Sequence, residues 1–127
     1  MPPLESPQAL LKWPLRAKTV SSGDVSVLEL SGRLGIVSAP KLAEVVSAFV
    51  EDPNKLLLID LAGVDYVSSA GIQALKTVLV PVVDGGTCVA VSGMHEPVRL
   101  ALELGGLLEL LLVGDTRQAA IAELKRK

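Results

Sequence analysis

The apolar and polar positions of this chain follow two periods, and the change from one to the other marks its central stretch. Residues 56 to 59 are an unbroken apolar run closed by Asp60, which predicts a strand buried on both faces of a sheet. Apolar residues then recur at helical spacing, at Ile72, Leu75, Val78, Leu79 and Val82. The pattern predicts a central strand, a turn and a helix that begins near Ser68 or Ser69.

A hairpin and a first helix are predicted ahead of this stretch. Residues 15 to 21 and 25 to 31 are short, partly β-branched runs on either side of Ser22-Gly23-Asp24, a combination typical of two paired strands. The first helix has apolar residues at i, i+3, i+4, i+7 and i+8, namely Leu42, Val45, Val46, Phe49 and Val50. Ser38 is a candidate N-cap for it, and residues 52 to 54 end it.

A further strand and a third helix are predicted after the central helix. Pro81 and residues 84 to 86 end the second helix, and residues 87 to 91 form the next strand. Pro97 suits the first turn of a third helix, which Gly105-Gly106 ends with a left-handed cap.

The last strand and helix complete an α/β pattern. Residues 107 to 113 predict a strand, and Asp115 begins the final helix with Gln118 three residues on, as in a capping box. A hairpin followed by three strand-and-helix alternations predicts a mixed β-sheet of about five strands with about four helices packed on it. Residues 1 to 14 contain four prolines and form an N-terminal extension, so the domain spans residues 15 to 127. The extension could dock on the domain or on a second copy, and a homodimer stays an open alternative.

Composition and charge narrow the class of protein. The 127 residues suffice for one domain, and half of them are apolar although only three are aromatic, so the core is aliphatic. The formal charge of -2 offers no basic stripe for nucleic acid. No apolar run is long enough to cross a bilayer, and the N-terminus lacks the pattern of a signal peptide. We therefore expect a cytoplasmic protein that neither binds nucleic acid nor inserts into a membrane.

Metal and cofactor sites are not predicted. One histidine and one cysteine cannot supply a closed ligand set, and the acidic residues lack the spacing of a calcium loop. Gly32-x-x-Gly35 and Gly85-Gly86 lack the Lys-Ser/Thr of a phosphate-binding loop, so they indicate turns.

An enzymatic alternative rests on one serine and one histidine. Ser69 and His95 each follow a predicted parallel strand and could meet with Asp60 or Asp65 as a Ser-His-acid triad. The serine lies in S-S-A-G, however, and not in the G-x-S-x-G elbow that exposes a nucleophile. No catalytic residue is predicted, and His95 is either an exposed loop residue or a contact to a phosphate on Ser69.

Local chemistry gives the two serines a simple role. Ser is a preferred N-cap, and either hydroxyl could accept a hydrogen bond from the first turn of the second helix. An anion would also be favoured there by the positive end of the helix dipole.

Three stretches resemble one known family. DLAGVDYVSSAGIQAL resembles the signature of the STAS domain of bacterial anti-sigma factor antagonists, in which a strand ends in an acidic residue and a serine turn opens a helix. GRLG before the first helix and SGMHEPVRLALELGGL are similar to two further family motifs in the same order. The resemblance covers residues 15 to the C-terminus and implies the STAS fold.

The resemblance also implies a function and a modified residue. The family's phosphorylated serine lies two residues before the glycine, at Ser69, and Ser68 is the second choice. The partner would be an anti-sigma factor with serine kinase activity, held by the unmodified protein and released on phosphorylation, and a serine phosphatase could reverse the reaction. The implied partner-binding residues are Gly35, Ile36, Ser38, Ser68, Ser69, Gln73 and Lys76.

Two positions depart from the family pattern and support an alternative. Gly35 stands where the family usually has Asp, and Ser68 stands where it often has an acidic residue. The alternative is a STAS subunit that is never phosphorylated and serves in a transporter-associated complex or a stress-signalling scaffold.

Overall fold

The computed structural model describes residues 15–51 and 56–126, so the predicted extension at residues 1 to 14 and the predicted helix stop at residues 52 to 54 lie outside it. The strands are β1 (Leu15–Ser22), β2 (Val25–Leu34), β3 (Leu56–Val67), β4 (Cys88–Ser92) and β5 (Leu112–Gly114). The α-helices are α1 (Ala39–Val50), α2 (Ser69–Asp84), α3 (Glu96–Leu104) and α4 (Arg117–Lys125), and Leu107–Glu109 forms a 3-10 turn.

The strands form one mixed sheet in the order β1-β2-β3-β4-β5. β1 and β2 are antiparallel across the turn at Gly23, whose φ of 64° suits glycine. The pairs β2–β3, β3–β4 and β4–β5 are parallel. The predicted fold class, an α/β mixed sheet of five strands with four helices, is confirmed.

Each face of the sheet carries its own apolar cluster. The larger cluster packs α1, α2 and α3 on one face, through side chains such as Leu42, Leu75 and Leu102. The smaller cluster packs Ala120 and Leu124 of α4 on the other. Strand residues alternate between the two faces because neighbouring side chains point to opposite sides of a sheet.

The central strand is longer than its apolar run predicts. β3 continues past Asp60 to Val67, although its pairing with β4 stops at Asp60↔Ser92. β2 keeps pairing with this second half through two register shifts, as far as Leu34↔Val67. These irregular pairs break the strict alternation, which hides the strand in the sequence.

Of two predicted boundaries in the second half of the chain, one is right in part and one is wrong. The predicted end of α2 at residues 84 to 86 is confirmed, because the helix ends at Asp84, but Pro81 lies inside the helix and does not end it. Val82 and Val83, beyond the proline, still pack against the core. The predicted strand at residues 107 to 113 instead begins with the 3-10 turn, which follows Gly106 in the left-handed region, and only Leu112–Gly114 is strand. The left-handed glycine predicted after α3 is confirmed at Gly106, whose φ is 82°.

The predicted start of the final helix is off by one residue. The N-cap of α4 is Thr116, whose hydroxyl accepts a hydrogen bond from the N–H of Ala119 at 3.1 Å, and not Asp115. Pro97 does lie in the first turn of α3, as predicted, while His95 takes the N-cap position without a side-chain bond to the helix.

A charged cluster fastens α4 to the sheet. The Arg117 guanidinium pairs with Glu29 of β2 and with Asp60 of β3, whose Oδ2 lies 2.6 Å from Nη2. The hydrogen bonds that Arg117 donates to Glu29 first, and then to Asp60, raise the pKa of Arg117 above its ordinary value. Arg117 therefore stays charged, and Asp60 makes a structural contact with it where the pairing of β3 with β4 ends.

Candidate functional site

The two serines in the turn between β3 and α2 have different structural roles. Ser68 is the N-cap of α2 and is half-buried, with its hydroxyl accepting from the Gly71 N–H at 3.4 Å. Its own N–H donates to the Leu34 carbonyl at 2.8 Å, which ties the turn to the end of β2. Ser69 is the first helical residue and is exposed, and its hydroxyl has no hydrogen bond within the described part of the chain.

Gly71 explains why the turn lies so close to β2. A Cβ atom at this position would lie 2.4 Å from the carbonyl oxygen of Leu34 and 2.9 Å from its carbonyl carbon. Only glycine permits this approach, because the nearest atoms belong to the backbone of a fully buried residue. The glycine thereby fixes where the first turn of α2, and so Ser69, stands.

The loop before α1 is shaped by Ser38, whose side chain is 2% exposed. Its hydroxyl accepts from the Gly35 N–H at 2.9 Å and donates to the Arg33 carbonyl at 2.7 Å. Ser38 does occupy the N-cap position of α1, as predicted, but its side chain makes no cap hydrogen bond to the helix. Because Ser38 is buried, its side chain cannot belong to an exposed binding face, and it acts on the predicted surface only by holding the loop.

The loop and the serine turn lie side by side. A Cβ atom built on Gly35 would stand 3.6 Å from the ring of Tyr66 and 3.7 Å from the hydroxyl of Ser68. Ile36 and Val37 next to it are 78% and 51% exposed, and Tyr66 is 43% exposed. Apolar side chains in solvent beside a serine turn form a surface suited to a protein partner.

A second exposed apolar pair flanks the first turn of α2. Gly105 packs so tightly on Ile72 that a Cβ atom would lie 2.7 Å from Ile72 Cγ2. Leu104, the neighbour of Gly105, is 79% exposed, and Leu100 one turn earlier on α3 is 50% exposed. Apolar side chains are therefore exposed on the loop before α1 and at the end of α3, next to the Gly105 that packs on Ile72 of α2.

The predicted residues on α2 share the face of Ser69. Gln73 and Lys76 follow Ser69 by four and seven residues, which places them along one stripe of the helix. Gln73 is exposed and Lys76 is half-buried. The structure thus brings six of the predicted residues to one side of the domain: Gly35, Ile36, Ser68, Ser69, Gln73 and Lys76.

Sequence reasoning missed two exposed neighbours of this turn, Arg33 and Tyr66. The guanidinium of Arg33 lies over the Tyr66 ring, 4.6 Å from the ring centroid. One signal was present, because Tyr66 is the single tyrosine of the chain and lies two residues before Ser68. Nothing local indicates that Arg33, 33 residues earlier, would lie on it.

The Ser-His-acid arrangement is not assembled. Nε2 of His95 donates to the carbonyl oxygen of Ala62 at 2.8 Å, and Asp60 is occupied by Arg117 and by the Ala62 N–H. Within the described residues no hydrogen bond joins His95 to Ser69. An open groove of about 530 Å³ lies beside Arg117 and Asp60, and neither serine lines it.

Residues 15–51 and 56–126 bring together no group of three His, Cys, Asp or Glu side chains able to hold a metal ion. No helix in those ranges is long and apolar enough to cross a membrane.

The fold and the turn together define an α/β domain that presents a serine at the start of a helix. A family model for the STAS domain matches residues 16–120, and this chain therefore belongs to the STAS domain family.

Similar proteins agree with this membership. BtrV of Bordetella bronchiseptica, provisionally named an anti-sigma factor antagonist, is 27% identical over 96 residues, which cover 76% of this chain and 83% of BtrV. The crystal structure of an anti-sigma factor antagonist from Mycobacterium paratuberculosis has a TM-score of 0.78 at 25% identity, covering 87% of this chain and 94% of the other. A sulfate transporter family protein from Wolinella succinogenes has a TM-score of 0.69 at 24% identity, covering 84% and 89%, and shares the fold.

Proposed function

We propose that this chain is an anti-sigma factor antagonist, which binds an anti-sigma factor with serine kinase activity and so frees the sigma factor. The observation that carries the proposal is the exposed Ser69 at the start of α2, in a turn that lies beside the loop before α1 with its exposed Ile36 and Val37. The names of BtrV and of the Mycobacterium structure support the same role.

The apolar surroundings of Ser69 supply the affinity in this proposal. Complete burial of a side chain the size of Ile36 or Leu104 contributes about 1.5–3 kcal/mol, and each is largely exposed in the free domain.

Calorimetric titration of the unmodified chain into the purified anti-sigma factors of its own genome tests the proposal. Saturable binding to one of them is expected, and no binding to any of them contradicts it.

The switch in this proposal is a change of charge at Ser69. A phosphate adds about -1.5 to -2 charge and three acceptor oxygens. In the free domain it lies at the positive end of α2, where an anion is tolerated. Against a closely packed partner the same charge loses its water and releases the complex.

The first prediction is that a cognate kinase with ATP adds one phosphate, at Ser69. The Ser69 hydroxyl is exposed, whereas the Ser68 hydroxyl is half-buried and accepts the capping bond of α2. Intact-mass and fragment spectra identify the site, and Ser69→Ala should stay unmodified while Ser68→Ala is still phosphorylated. A phosphate found only on Ser68 would show that the cap, and not the exposed serine, is the target.

The second prediction concerns the acidic residue that the family usually has at Gly35. Aspartate fits there, because a Cβ atom makes only ordinary contacts with Tyr66 and Ser68. Gly35→Asp should be phosphorylated several-fold faster than the wild type, because in this proposal the anti-sigma factor kinase recognises this loop. The measurement is the initial rate of phosphate transfer to each protein. Gly35→Ala is the control, because it adds the Cβ atom without the charge. Equal rates for all three proteins would remove the loop from the recognition surface.

A second candidate function is a STAS subunit that is never phosphorylated and belongs to a transporter-associated or stress-signalling complex. Gly35 and Ser68, which stand where antagonists usually have acidic residues, favour it. Under this alternative no kinase modifies Ser69, and a phosphatase has no substrate here.

A further inference from the structure

One cation next to the serine turn has an aromatic ring as its partner. Arg33, near the end of β2, is exposed and holds its guanidinium 4.6 Å from the centroid of the Tyr66 ring. Within residues 15–51 and 56–126 no ion pair joins Arg33 to a carboxylate. Such a contact contributes about 0.5–1 kcal/mol at an exposed site, so a stronger partner can displace it.

Strand register keeps this cation beside the serines. Arg33 is paired with Tyr66, and Leu34 with Val67, at the point where β2 and β3 end together. The next residue, Ser68, donates its N–H to Leu34. The Arg33 backbone is held as well, because its carbonyl accepts from the Ser38 hydroxyl. The main chain at Arg33 is therefore fixed next to the serine turn, and its exposed side chain carries the guanidinium.

We propose that Arg33 binds the phosphate of phosphorylated Ser69, leaving the face of Tyr66 to form a charge-assisted pair with it. The inference rests on the proposed function, since it requires a phosphate on Ser69. A guanidinium presents a planar fork of N–H donors that matches two phosphate oxygens. Tyr66 acts as a platform that keeps the guanidinium extended and ready before modification.

Gly35 has a defined part in this arrangement. A Cβ atom at position 35 would lie 3.6 Å from Cε2 of the Tyr66 ring that carries the Arg33 guanidinium, so an aspartate there would add a carboxylate beside this cation. Because Gly35 stands in place of the usual acidic residue, no carboxylate at position 35 competes with a phosphate for the Arg33 guanidinium. The same Gly35→Asp change that should speed phosphorylation is expected to weaken the hold of Arg33 on the phosphate.

The test compares four proteins: wild type and Arg33→Gln, each with serine or with phosphoserine installed at position 69 by genetic code expansion, so that no kinase is needed. Phosphoserine should raise the melting temperature of the wild type by at least about 3 °C more than that of Arg33→Gln, in which the helix dipole alone favours the phosphate. Alkaline phosphatase should remove the phosphate at least about threefold faster from Arg33→Gln. Arg126→Gln, which removes an exposed arginine at the end of α4, is the matched control and should behave as the wild type.

The outcomes separate this inference from the proposed function. Equal melting shifts and equal phosphatase rates in the wild type and Arg33→Gln overturn the role of Arg33, whatever the partner does. Loss of anti-sigma factor binding by unmodified Arg33→Gln together with equal shifts would show that Arg33 meets a carboxylate of the partner, which also overturns it. Failure of the proposed function would appear in the binding titrations and the kinase assay of the unmodified chain, and not in the melting shifts or the phosphatase rates.

Discussion

Replacing Ser69 by aspartate is expected to weaken binding of the anti-sigma factor at least about a hundredfold, or about 2.7 kcal/mol, while the domain stays folded. Ser69 is the first residue of α2 and is exposed, so a carboxylate there faces water and the positive end of the helix, and stability should change by less than about 1 kcal/mol. In the complex the carboxylate loses its water without gaining a partner, which typically costs several kcal/mol.

The measurement is calorimetric titration of each variant into the anti-sigma factor, with thermal melts alongside. Ser69→Asn is the matched control, because asparagine has the shape of aspartate without its charge and should lose much less affinity. Wild-type affinity in a well-folded Ser69→Asp would refute the switch and favour the structural subunit. A clearly lower melting temperature of Ser69→Asp would mean that Ser69 has a structural role. The sequence leaves this possible, because it does not decide which of the two serines caps α2.

Gly71→Ala should destabilise the domain by about 2–3 kcal/mol, against the ordinary trend for helices. In an unconstrained helix alanine is favoured over glycine by about 1 kcal/mol. Here the new methyl group would stand 2.4 Å from the carbonyl oxygen of Leu34, and this backbone atom cannot move without opening the core around a side chain that is 0% exposed. The overlap therefore outweighs the helix preference.

Urea unfolding of Gly71→Ala and of the wild type gives the difference, provided the two slopes agree. Gly35→Ala is the control in the same region, because its methyl group meets neighbours at 3.6 and 3.7 Å and should change stability by less than about 0.5 kcal/mol. Equal stability of Gly71→Ala and the wild type would show that α2 can move away from β2. In that case the glycine would not determine where Ser69 lies.

The sequence by itself determined the elements and much of their burial. The i, i+3, i+4 pattern of α1 predicts its inner face, and Leu42, Val46 and Phe49 are indeed buried. The change of period after the central run predicts a helix near Ser68 or Ser69, and α2 begins at Ser69. These features follow from neighbours within a few residues, because the periods of strands and helices are local properties of the chain.

Only the tertiary structure decided the roles of the site residues. That Ser68 is the cap and Ser69 the exposed hydroxyl depends on the bond from Ser68 to Leu34, 34 residues earlier. The burial of Ser38 and the placing of Arg33 on Tyr66 likewise depend on how the ends of β2 and β3 meet after two register shifts. A register shift leaves no periodic trace, since it is set by the packing of the whole sheet. The sequence therefore predicts that the serine turn begins a helix. Only the fold shows which residues of β2 lie next to that turn.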